Sequence, residues 1–260
     1  MSSRANPPAT LFVDADNTLW DTDAVFARAQ LALLDDVIAG LGTSIPLGDP
    51  LAFIRAVDQA LAERHHAGLR YPPRLLIRAT EIALTGTPAD SAARSAWKGN
   101  SQYRIDDDAA GAIEQRFFAA LATPPEPRPG VVEGLERLHA VGCLLLVVSE
   151  GAKAKIDRNA ERLGIARFFD RVLEAPKSPE VYRRVLRLTG APSRAYMVGD
   201  QLDRDIAPAK AAGIGTIYFP GGFQPRWSPA VGKVGPDHII ASFAEVPDIV
   251  LAERRAIAAS

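Results

Sequence analysis

The sequence has little cysteine and no long apolar run, and each shortage excludes a class of protein. Its single cysteine, Cys143, cannot form a disulfide within the chain, and its place in an apolar stretch is typical of a small buried residue. No stretch reaches the roughly eighteen uninterrupted apolar residues of a membrane-spanning helix. The first residues, MSSRANPPAT, lack the apolar core of a signal peptide. We therefore expect a cytoplasmic protein that does not enter a membrane.

An excess of charge of either sign is also missing. The 30 Lys and Arg residues are matched by 31 Asp and Glu residues, so the net charge is −1. This balance gives no bulk positive field that would attract nucleic acid or an anionic membrane. Any anionic ligand must therefore be held by a local site. At 260 residues, 47% of them hydrophobic, the chain is long enough to bury a sizeable core.

Between about Asp21 and Thr123 the sequence is helical in pattern. Apolar residues recur at spacings of three and four in about five segments, and few β-branched runs interrupt them. Asp49 followed by Pro50 predicts the start of one of these helices. The segment PPEPRPG at 124–130 ends the region, because four prolines in seven residues predict a stiff, extended connector.

Beyond the connector, apolar strands alternate with helical segments. We predict strands in CLLLVVS, RVLEA, AYMVGD, TIYF and HII, and the stretch LFVD near the start belongs with them. Such alternation is typical of βαβ units and a parallel sheet. We therefore predict an α/β fold, in which residues 1–20 and 126–260 form a Rossmann-like parallel-sheet core. Residues 21–125 would form an all-helical domain inserted after the first strand.

Polar residues directly follow several of these apolar strands. Asp14 and Asp16 follow the first strand, Ser149 ends the run LLLVV, and Asp200 ends YMVG, while Lys177 comes shortly after RVLEA. In open parallel sheets, ligands bind beyond the carboxyl ends of the strands. We therefore expect these five side chains to meet at one edge of the sheet.

The chemistry of such a group suits a metal ion and a phosphate. Asp14, Asp16 and Asp200 would repel one another unless a cation lies among them, and oxygen ligands favour a hard ion such as Mg²⁺. Lys177 adds a positive charge, and the hydroxyl of Ser149 adds a hydrogen-bonding group. Transfer of a phosphoryl group is catalysed mainly by positioning and by neutralisation of charge. A carboxylate can also act as the nucleophile and form an aspartyl-phosphate.

These residues resemble the four motifs of the haloacid dehalogenase (HAD) superfamily, whose members are mainly Mg²⁺-dependent phosphatases. The first motif, DxDx(T/V), stands here as Asp14-Ala15-Asp16-Asn17-Thr18, and the second is Ser149. The third is Lys177, and the fourth, GDxxxxD, stands as Gly199-Asp200 with Asp205. All four occur in the family's order, and the resemblance covers essentially the whole chain. The helical insertion resembles the family's cap domain in its all-helical form.

The resemblance implies a role for each aspartate. Asp14 would be the nucleophile that attacks phosphorus. Asp16 would protonate the leaving oxygen and then deprotonate the water that hydrolyses the acyl-phosphate. Mg²⁺ would be held by Asp14, by the backbone carbonyl of Asp16 and by Asp200, with Asp205 acting through water or from behind the direct ligands.

The resemblance also implies a set of residues that bind the phosphate. Ser149 and Lys177 would contact the phosphoryl oxygens, and Lys177 would also offset the charge of Asp14. Thr18, Glu150 and Gly151 belong to the same predicted substrate-binding set, since they stand within or beside the first two motifs.

Two positions depart from the family pattern. Asn17 stands where glycine is usual, and because asparagine accepts left-handed backbone conformations we expect the turn to be retained. Glu150 stands where asparagine is usual after the serine of the second motif. A carboxylate there is unfavourable beside a phosphate unless it points away.

Further candidates for contacts with a substrate lie in or near the helical insertion, although each is also typical of a packing or surface position. They are Trp20, His65, His66, Arg70, Tyr71, Arg74, Trp97 and Arg104. In contrast, we expect Asp203, the additional acid in GDQLDRD, to be a solvated loop residue.

We predict a Mg²⁺-dependent phosphatase that hydrolyses a small phosphorylated metabolite through an aspartyl-phosphate. A helical lid over the site would exclude bulky macromolecules, nucleic acid included. Three alternatives stay open. A phosphotransferase such as a sugar phosphomutase has the same architecture. A haloacid dehalogenase would not need the acid at Asp16, and neither would a non-catalytic binding module.

Overall fold

The computed structural model describes residues 7–42, 48–64, 71–99, 102–190 and 194–258, with only the backbone described for 253–258. The chain divides into two compact units. The first comprises Met1–Asp23, Pro125–Gln224 and Ser228–Ser260, and the second comprises Ala24–Pro124 with Pro225–Trp227.

A single parallel sheet forms the centre of the first unit. Its described strands are β1 (Thr10–Val13), β2 (Leu144–Ser149), β3 (Arg171–Glu174), β4 (Ala195–Gly199), β5 (Gly215–Tyr218) and β6 (His238–Ile239). Their order is β3-β2-β1-β4-β5-β6, with every neighbouring pair parallel. β1 lies between β2 and β4, so the strand order reverses there, which is the point where such sheets bind ligands. The predicted α/β fold is confirmed.

Five helices form the described part of the second unit, as the sequence predicts. They are α1 (Thr22–Leu41), α2 (Pro50–Ala62), α3 (Pro73–Ala83), α4 (Ala89–Lys98) and α5 (Asp107–Leu121). Their apolar faces enclose a core of their own that includes Leu33, Ile54 and Leu76. The predicted start of α2 is confirmed, because Asp49 Oδ1 accepts a hydrogen bond from the Ala52 N–H at 2.9 Å.

The segment Pro225–Trp227 follows β5 in the chain yet packs with the helices of the second unit. The Arg226 guanidinium pairs with Glu63 and lies 3.0 Å from Asp90 Oδ1. Its backbone N–H donates to Gln59 Oε1 at 2.6 Å. No pattern in the sequence indicates this association.

The helices of the first unit cover both faces of the sheet. They are α6 (Val131–Ala140), α7 (Lys153–Arg162), α8 (Pro179–Leu188), α9 (Ala207–Ala211), α10 (Val231–Val234) and α11 (Val246–Ala258). One buried cluster contains Val13 and Val147, and the other contains Phe12, Leu146 and Tyr182. Strands buried on both faces are apolar throughout, which explains the continuous apolar runs in the sequence. The short α10 and the last helix, α11, were not predicted.

Among the described residues, none of the helices combines the length and the apolar character that spanning a membrane requires.

Candidate active site

Three buried carboxylates meet at the carboxyl ends of β1 and β4. Asp14 follows β1 and Asp200 follows β4, and the parallel pairing of Val13 with Val198 brings both aspartates to the same edge of the sheet. The third, Asp205, comes from the loop after β4. One carboxylate oxygen from each residue lies within 4.8 Å of the others, and all three residues are buried. The strand ends predicted the meeting of Asp14 with Asp200, the resemblance added Asp205, and the carboxylate of Asp16, also expected here, is not part of this cluster.

A π-helical turn over Leu202–Ile206 directs Asp205 into the cluster. The Ile206 N–H donates to the Gln201 carbonyl at 3.3 Å, the i to i+5 spacing that defines such a turn. The Gln201 N–H in turn donates to Asp205 Oδ2 at 2.9 Å. Gly199 is required here, because a Cβ atom at that position would lie 2.4 Å from the Asp205 carboxyl carbon.

Lys177 supplies the positive charge of the cluster. Its Nζ pairs with Asp14 Oδ1 and lies 2.6 Å from Asp205 Oδ1, and only 8% of its side chain is exposed. Burial by itself lowers the pKa of Lys177, but Asp14 and Asp205 outweigh that effect and raise it above its ordinary range. The lysine is therefore charged at every physiological pH.

One ammonium group does not neutralise three carboxylates. Burial, reinforced by the neighbouring carboxylates, raises the pKa of Asp14 to about 7 against the opposing charge of Lys177. Burial and the charges of Asp14 and Asp205 raise the pKa of Asp200 to about 9. Among the described residues, Asp200 Oδ1 is buried and has no hydrogen-bond partner. A buried oxygen without a partner and a surplus of negative charge are what a hard divalent cation such as Mg²⁺ would satisfy.

The turn after Asp14 has the left-handed residue that was expected. Asn17 adopts φ 59°, and its side-chain oxygen accepts a hydrogen bond from the Asp23 N–H at 2.7 Å. Thr18 donates its hydroxyl to Asp14 Oδ2 at 3.3 Å. Thr18 is fully buried, so its hydroxyl contacts the predicted nucleophile and is not exposed to a substrate.

The carboxylate of Asp16 lies outside the cluster of three and has its own set of partners. Its Oδ1 accepts hydrogen bonds from Trp20 Nε1 at 2.9 Å and from the Thr22 hydroxyl at 2.7 Å. The Lys155 ammonium lies 3.8 Å from the same oxygen. Trp20 is fully buried, so it has no surface on which to contact a substrate directly.

Ser149 ends β2 beside this group. Its Oγ accepts a hydrogen bond from the Gly151 N–H at 3.0 Å. A Cβ atom at position 151 would lie 3.3 Å from Ser149 Oγ and 3.8 Å from Asp16 Oδ2. The glycine thus lines the space between the serine hydroxyl and one oxygen of Asp16.

Glu150 pairs with a residue that the sequence did not identify. Its carboxylate forms an ion pair with Arg204 of the π-helical turn, and it accepts a hydrogen bond from the Lys177 N–H at 3.4 Å. These contacts occupy the carboxylate that would otherwise oppose a bound phosphate. No local signal identifies Arg204, since charged residues are common in loops.

Arg128, in the proline-rich connector, is another residue that the sequence did not single out. Its guanidinium donates to the carbonyls of Asn17 at 2.5 Å, Phe219 at 3.1 Å and Pro220 at 2.8 Å. It also stacks 3.6 Å from the ring centroid of Phe219. Burial lowers the pKa of Arg128 despite the nearby carboxylates of Asp200 and Asp21. The arginine joins the turn after β1 to the loop after β5.

The candidates in the helical insertion have partners within their own unit. Tyr71 donates to Asp58, Arg74 lies 3.3 Å from Glu114, and Arg104 donates to the Leu41 carbonyl at 2.8 Å. Trp97 is partly exposed. His65, His66 and Arg70 lie outside the described residues. The described polar candidates thus have structural contacts that explain their presence.

The protein is thus a parallel α/β fold with a buried centre of three carboxylates and one lysine beyond the ends of its strands. The chain belongs to the haloacid dehalogenase-like hydrolase family, whose sequence profile matches residues 8–213.

The chain is similar in sequence to several phosphatases. The chain is 30% identical over 154 residues to the phosphoglycolate phosphatase of Caulobacter vibrioides, an alignment of 55% of this chain and 63% of the relative. It is 25% identical to the glyceraldehyde 3-phosphate phosphatase of Pyrococcus furiosus, over 80% of this chain and 79% of the relative. The alignments with the Caulobacter relative and with phosphatases of Methanopyrus kandleri and Mesorhizobium japonicum cover only 57% to 63% of the length of each relative.

Solved structures show the same fold. A haloacid dehalogenase-like family hydrolase from Xanthomonas campestris has a TM-score of 0.59 at 22% identity, covering 95% of this chain and 96% of that one. The HAD hydrolase YfnB from Bacillus subtilis, solved with magnesium bound, has a TM-score of 0.60 at 19% identity, covering 93% of this chain and 98% of that one. At these identities the likeness shows the fold alone.

Proposed function

We propose that this protein is a Mg²⁺-dependent phosphatase that hydrolyses a small phosphorylated metabolite through an aspartyl-phosphate. The observation that carries the proposal is the buried cluster of Asp14, Asp200 and Asp205, in which the Lys177 ammonium pairs with Asp14 and Asp205. Surplus buried negative charge is costly unless a cation balances it.

The metal ligands in this proposal are Asp14, Asp200 and the backbone carbonyl of Asp16, with Asp205 acting through water or from behind. Bound Mg²⁺ would offset the charge of the carboxylates and of the phosphoryl oxygens, so that an anionic nucleophile can approach an anionic ester. The partnerless Oδ1 of Asp200 supports this assignment.

Asp14 is the nucleophile of the proposed reaction. Its carboxylate forms a bond to phosphorus as the bond from phosphorus to the ester oxygen breaks, and the leaving oxygen takes a proton from Asp16. Asp16 then removes a proton from water, which attacks the aspartyl-phosphate and releases inorganic phosphate. The pairing of Asp14 with Lys177 and Thr18 fixes the orientation of the attacking carboxylate.

The phosphoryl oxygens are assigned to the end of β2 and to Lys177. The Ser149 hydroxyl, which accepts the Gly151 N–H, and the backbone N–H of Glu150 supply hydrogen bonds, and Lys177 supplies charge. The ion pair between Glu150 and Arg204 supports this arrangement, because it holds the carboxylate of Glu150 on a cation.

Relatives support a small phosphorylated metabolite as the substrate. They include phosphatases named for phosphoglycolate, glyceraldehyde 3-phosphate and ribulose-1,5-bisphosphate. In this proposal the inserted helices act as the cap that selects the substrate, and the enzyme works in the cytoplasm. The hydrogen bonds on Asp16 favour hydrolysis of an ester over dehalogenation, which needs no acid at that position.

The proposal is tested by the release of p-nitrophenol from p-nitrophenyl phosphate, with MgCl₂ or with EDTA. We expect turnover that requires Mg²⁺, that is abolished in Asp14→Asn and that persists in Asp203→Asn. Asp203 is an exposed acid close to the same motif, so it serves as the matched control. Turnover in EDTA, or full activity of Asp14→Asn, would contradict the proposal.

A further inference from the structure

Trp20 combines complete burial with a polar contact to Asp16. Its side chain has no exposed surface and belongs to the apolar cluster that contains Val13, Val131 and Phe243. Its carbonyl accepts a hydrogen bond from the Asn17 N–H at 2.8 Å, so its backbone is fixed as well. The indole N–H nevertheless donates to Asp16 Oδ1 at 2.9 Å. Because the core holds the Trp20 ring in place, its indole N–H is a hydrogen-bond donor in a fixed position.

The two oxygens of Asp16 have different surroundings. Oδ1 accepts from Trp20 and from the Thr22 hydroxyl, whereas Oδ2 lies 3.8 Å from the position of a Cβ atom on Gly151. That same position lies 3.3 Å from Ser149 Oγ. Oδ2 is therefore directed toward the end of β2, where the proposed phosphate-binding groups lie.

We propose that Trp20 is a positioning residue for Asp16, an inference that rests on the proposed function. The indole N–H holds Oδ1, so Oδ2 is the oxygen that exchanges a proton with the leaving group and then with water. An aspartate without such a contact has several staggered side-chain rotamers, only some of which place a carboxylate oxygen within reach of the leaving oxygen. Thr22 contributes a second hydrogen bond to the same oxygen, through a hydroxyl whose proton adapts to the position of its acceptor.

The inference predicts a selective loss of activity. An alkyl phosphate needs a proton on its leaving oxygen, whereas p-nitrophenol leaves readily as an anion, so only the alkyl ester depends on a well-placed acid. Removing the indole donor should therefore lower kcat/KM about tenfold for an alkyl phosphate and less than about twofold for p-nitrophenyl phosphate. Because kcat/KM covers the steps through cleavage of the ester bond, the later hydrolysis of the aspartyl-phosphate does not enter the comparison.

The test replaces Trp20 alone with 3-benzothienylalanine, which has sulfur in place of the N–H and nearly the same shape. Trp20→Phe is the genetically simple companion, and its thermal unfolding midpoint shows whether the smaller ring disturbs the core. Benzothienylalanine at Trp227, a partly exposed tryptophan, is the matched control. The substrates are 2-phosphoglycolate, as the alkyl phosphate, and p-nitrophenyl phosphate.

We expect benzothienylalanine at position 20 to lower kcat/KM for 2-phosphoglycolate selectively. Benzothienylalanine at position 227 should cause no such loss. Equal losses for both esters would indicate a structural role for Trp20 and overturn the inference, as would no loss for either ester. Wild-type protein that hydrolyses neither ester in the presence of Mg²⁺ would overturn the proposed function and this inference with it.

Discussion

The Lys177 ammonium lies 2.6 Å from Asp205 Oδ1, and the Asp205 side chain has no exposed surface. The same ammonium also pairs with Asp14, so one lysine links two motifs at the ends of different strands. Such a lysine does two things in the proposed enzyme. It balances buried charge in the folded protein, and it supplies a cation for the phosphate.

Lys177→Met therefore tests both roles at once. Breaking a buried ion pair by removing one partner leaves charge uncompensated, at a cost of about 3–5 kcal/mol in the free energy of unfolding. We expect that loss in urea unfolding with EDTA, together with loss of phosphatase activity. Lys153→Met, at an exposed lysine that pairs with Asp157, should change little. Unchanged stability of Lys177→Met would contradict the buried pairing.

Asp200→Asn is expected to stabilise the metal-free protein at high pH. Burial and the neighbouring carboxylates raise the pKa of Asp200 from its ordinary 3.8 to about 9. Because the folded protein keeps this proton to a higher pH than the unfolded chain, the free energy of unfolding falls as the pH rises between those values. In EDTA at about pH 8 the variant should melt several degrees above wild type, since 1 kcal/mol corresponds to roughly 2–4 °C at this size.

In Mg²⁺, the wild-type protein should melt at a higher temperature than Asp200→Asn. A cation that binds the ionised Asp200 raises the melting temperature of wild type, whereas the variant gains less because it has lost a ligand. Asp203→Asn should match wild type in both conditions. A variant with the same Mg²⁺-induced shift as wild type would remove Asp200 from the metal site.

Gly199→Ala tests the close packing behind Asp205. The added methyl group would lie 2.4 Å from the Asp205 carboxyl carbon, so this side chain must move. We expect Mg²⁺ affinity, measured by calorimetry, to fall about tenfold, with a stability loss of about 1–3 kcal/mol from overpacking. Gly232→Ala is the control, because a Cβ atom there has no described neighbour within 4 Å. Equal Mg²⁺ affinity in both variants would be the contrary result.

Arg204→Gln tests the role of the ion pair with Glu150. Without Arg204, the carboxylate of Glu150 stays charged beside the proposed phosphate-binding groups. KM should rise about three- to tenfold, since a partly exposed charge interaction is worth about 1 kcal/mol. The double variant Glu150→Gln/Arg204→Gln should return KM close to the wild-type value, because both charges are gone. A KM as high in the double variant as in Arg204→Gln would contradict this explanation.

Much of the fold and part of the site could be predicted because the signals are local. Apolar runs that end in Asp14, Ser149 and Asp200 mark the strand ends, and parallel strands bring such ends together. The start of α2 depends on Asp49 and its neighbours alone. The left-handed turn at Asn17 likewise follows from the preference of one residue type.

The remaining features depend on contacts between residues far apart in the chain. Arg128 binds the carbonyl of Phe219, and Arg226 binds acids of the second unit, yet both arginines stand in ordinary loop sequence. The direction of the Trp20 indole depends on how the core packs around it, and a sequence does not specify that direction. The pattern of residue types in the sequence therefore identifies the candidate reactive groups. It does not identify the side chains that orient these groups.

Phosphorylation of Asp14 during turnover can be tested with the variant Asp16→Asn. This variant lacks the base that activates water, so the aspartyl-phosphate formed from p-nitrophenyl phosphate should accumulate. We predict a burst of p-nitrophenol equal to the enzyme concentration in MgCl₂, and one phosphoryl group on Asp14 by mass spectrometry of acid-quenched protein. Steady release of p-nitrophenol without a covalent phosphoprotein, or a phosphoryl group on another residue, would contradict the account.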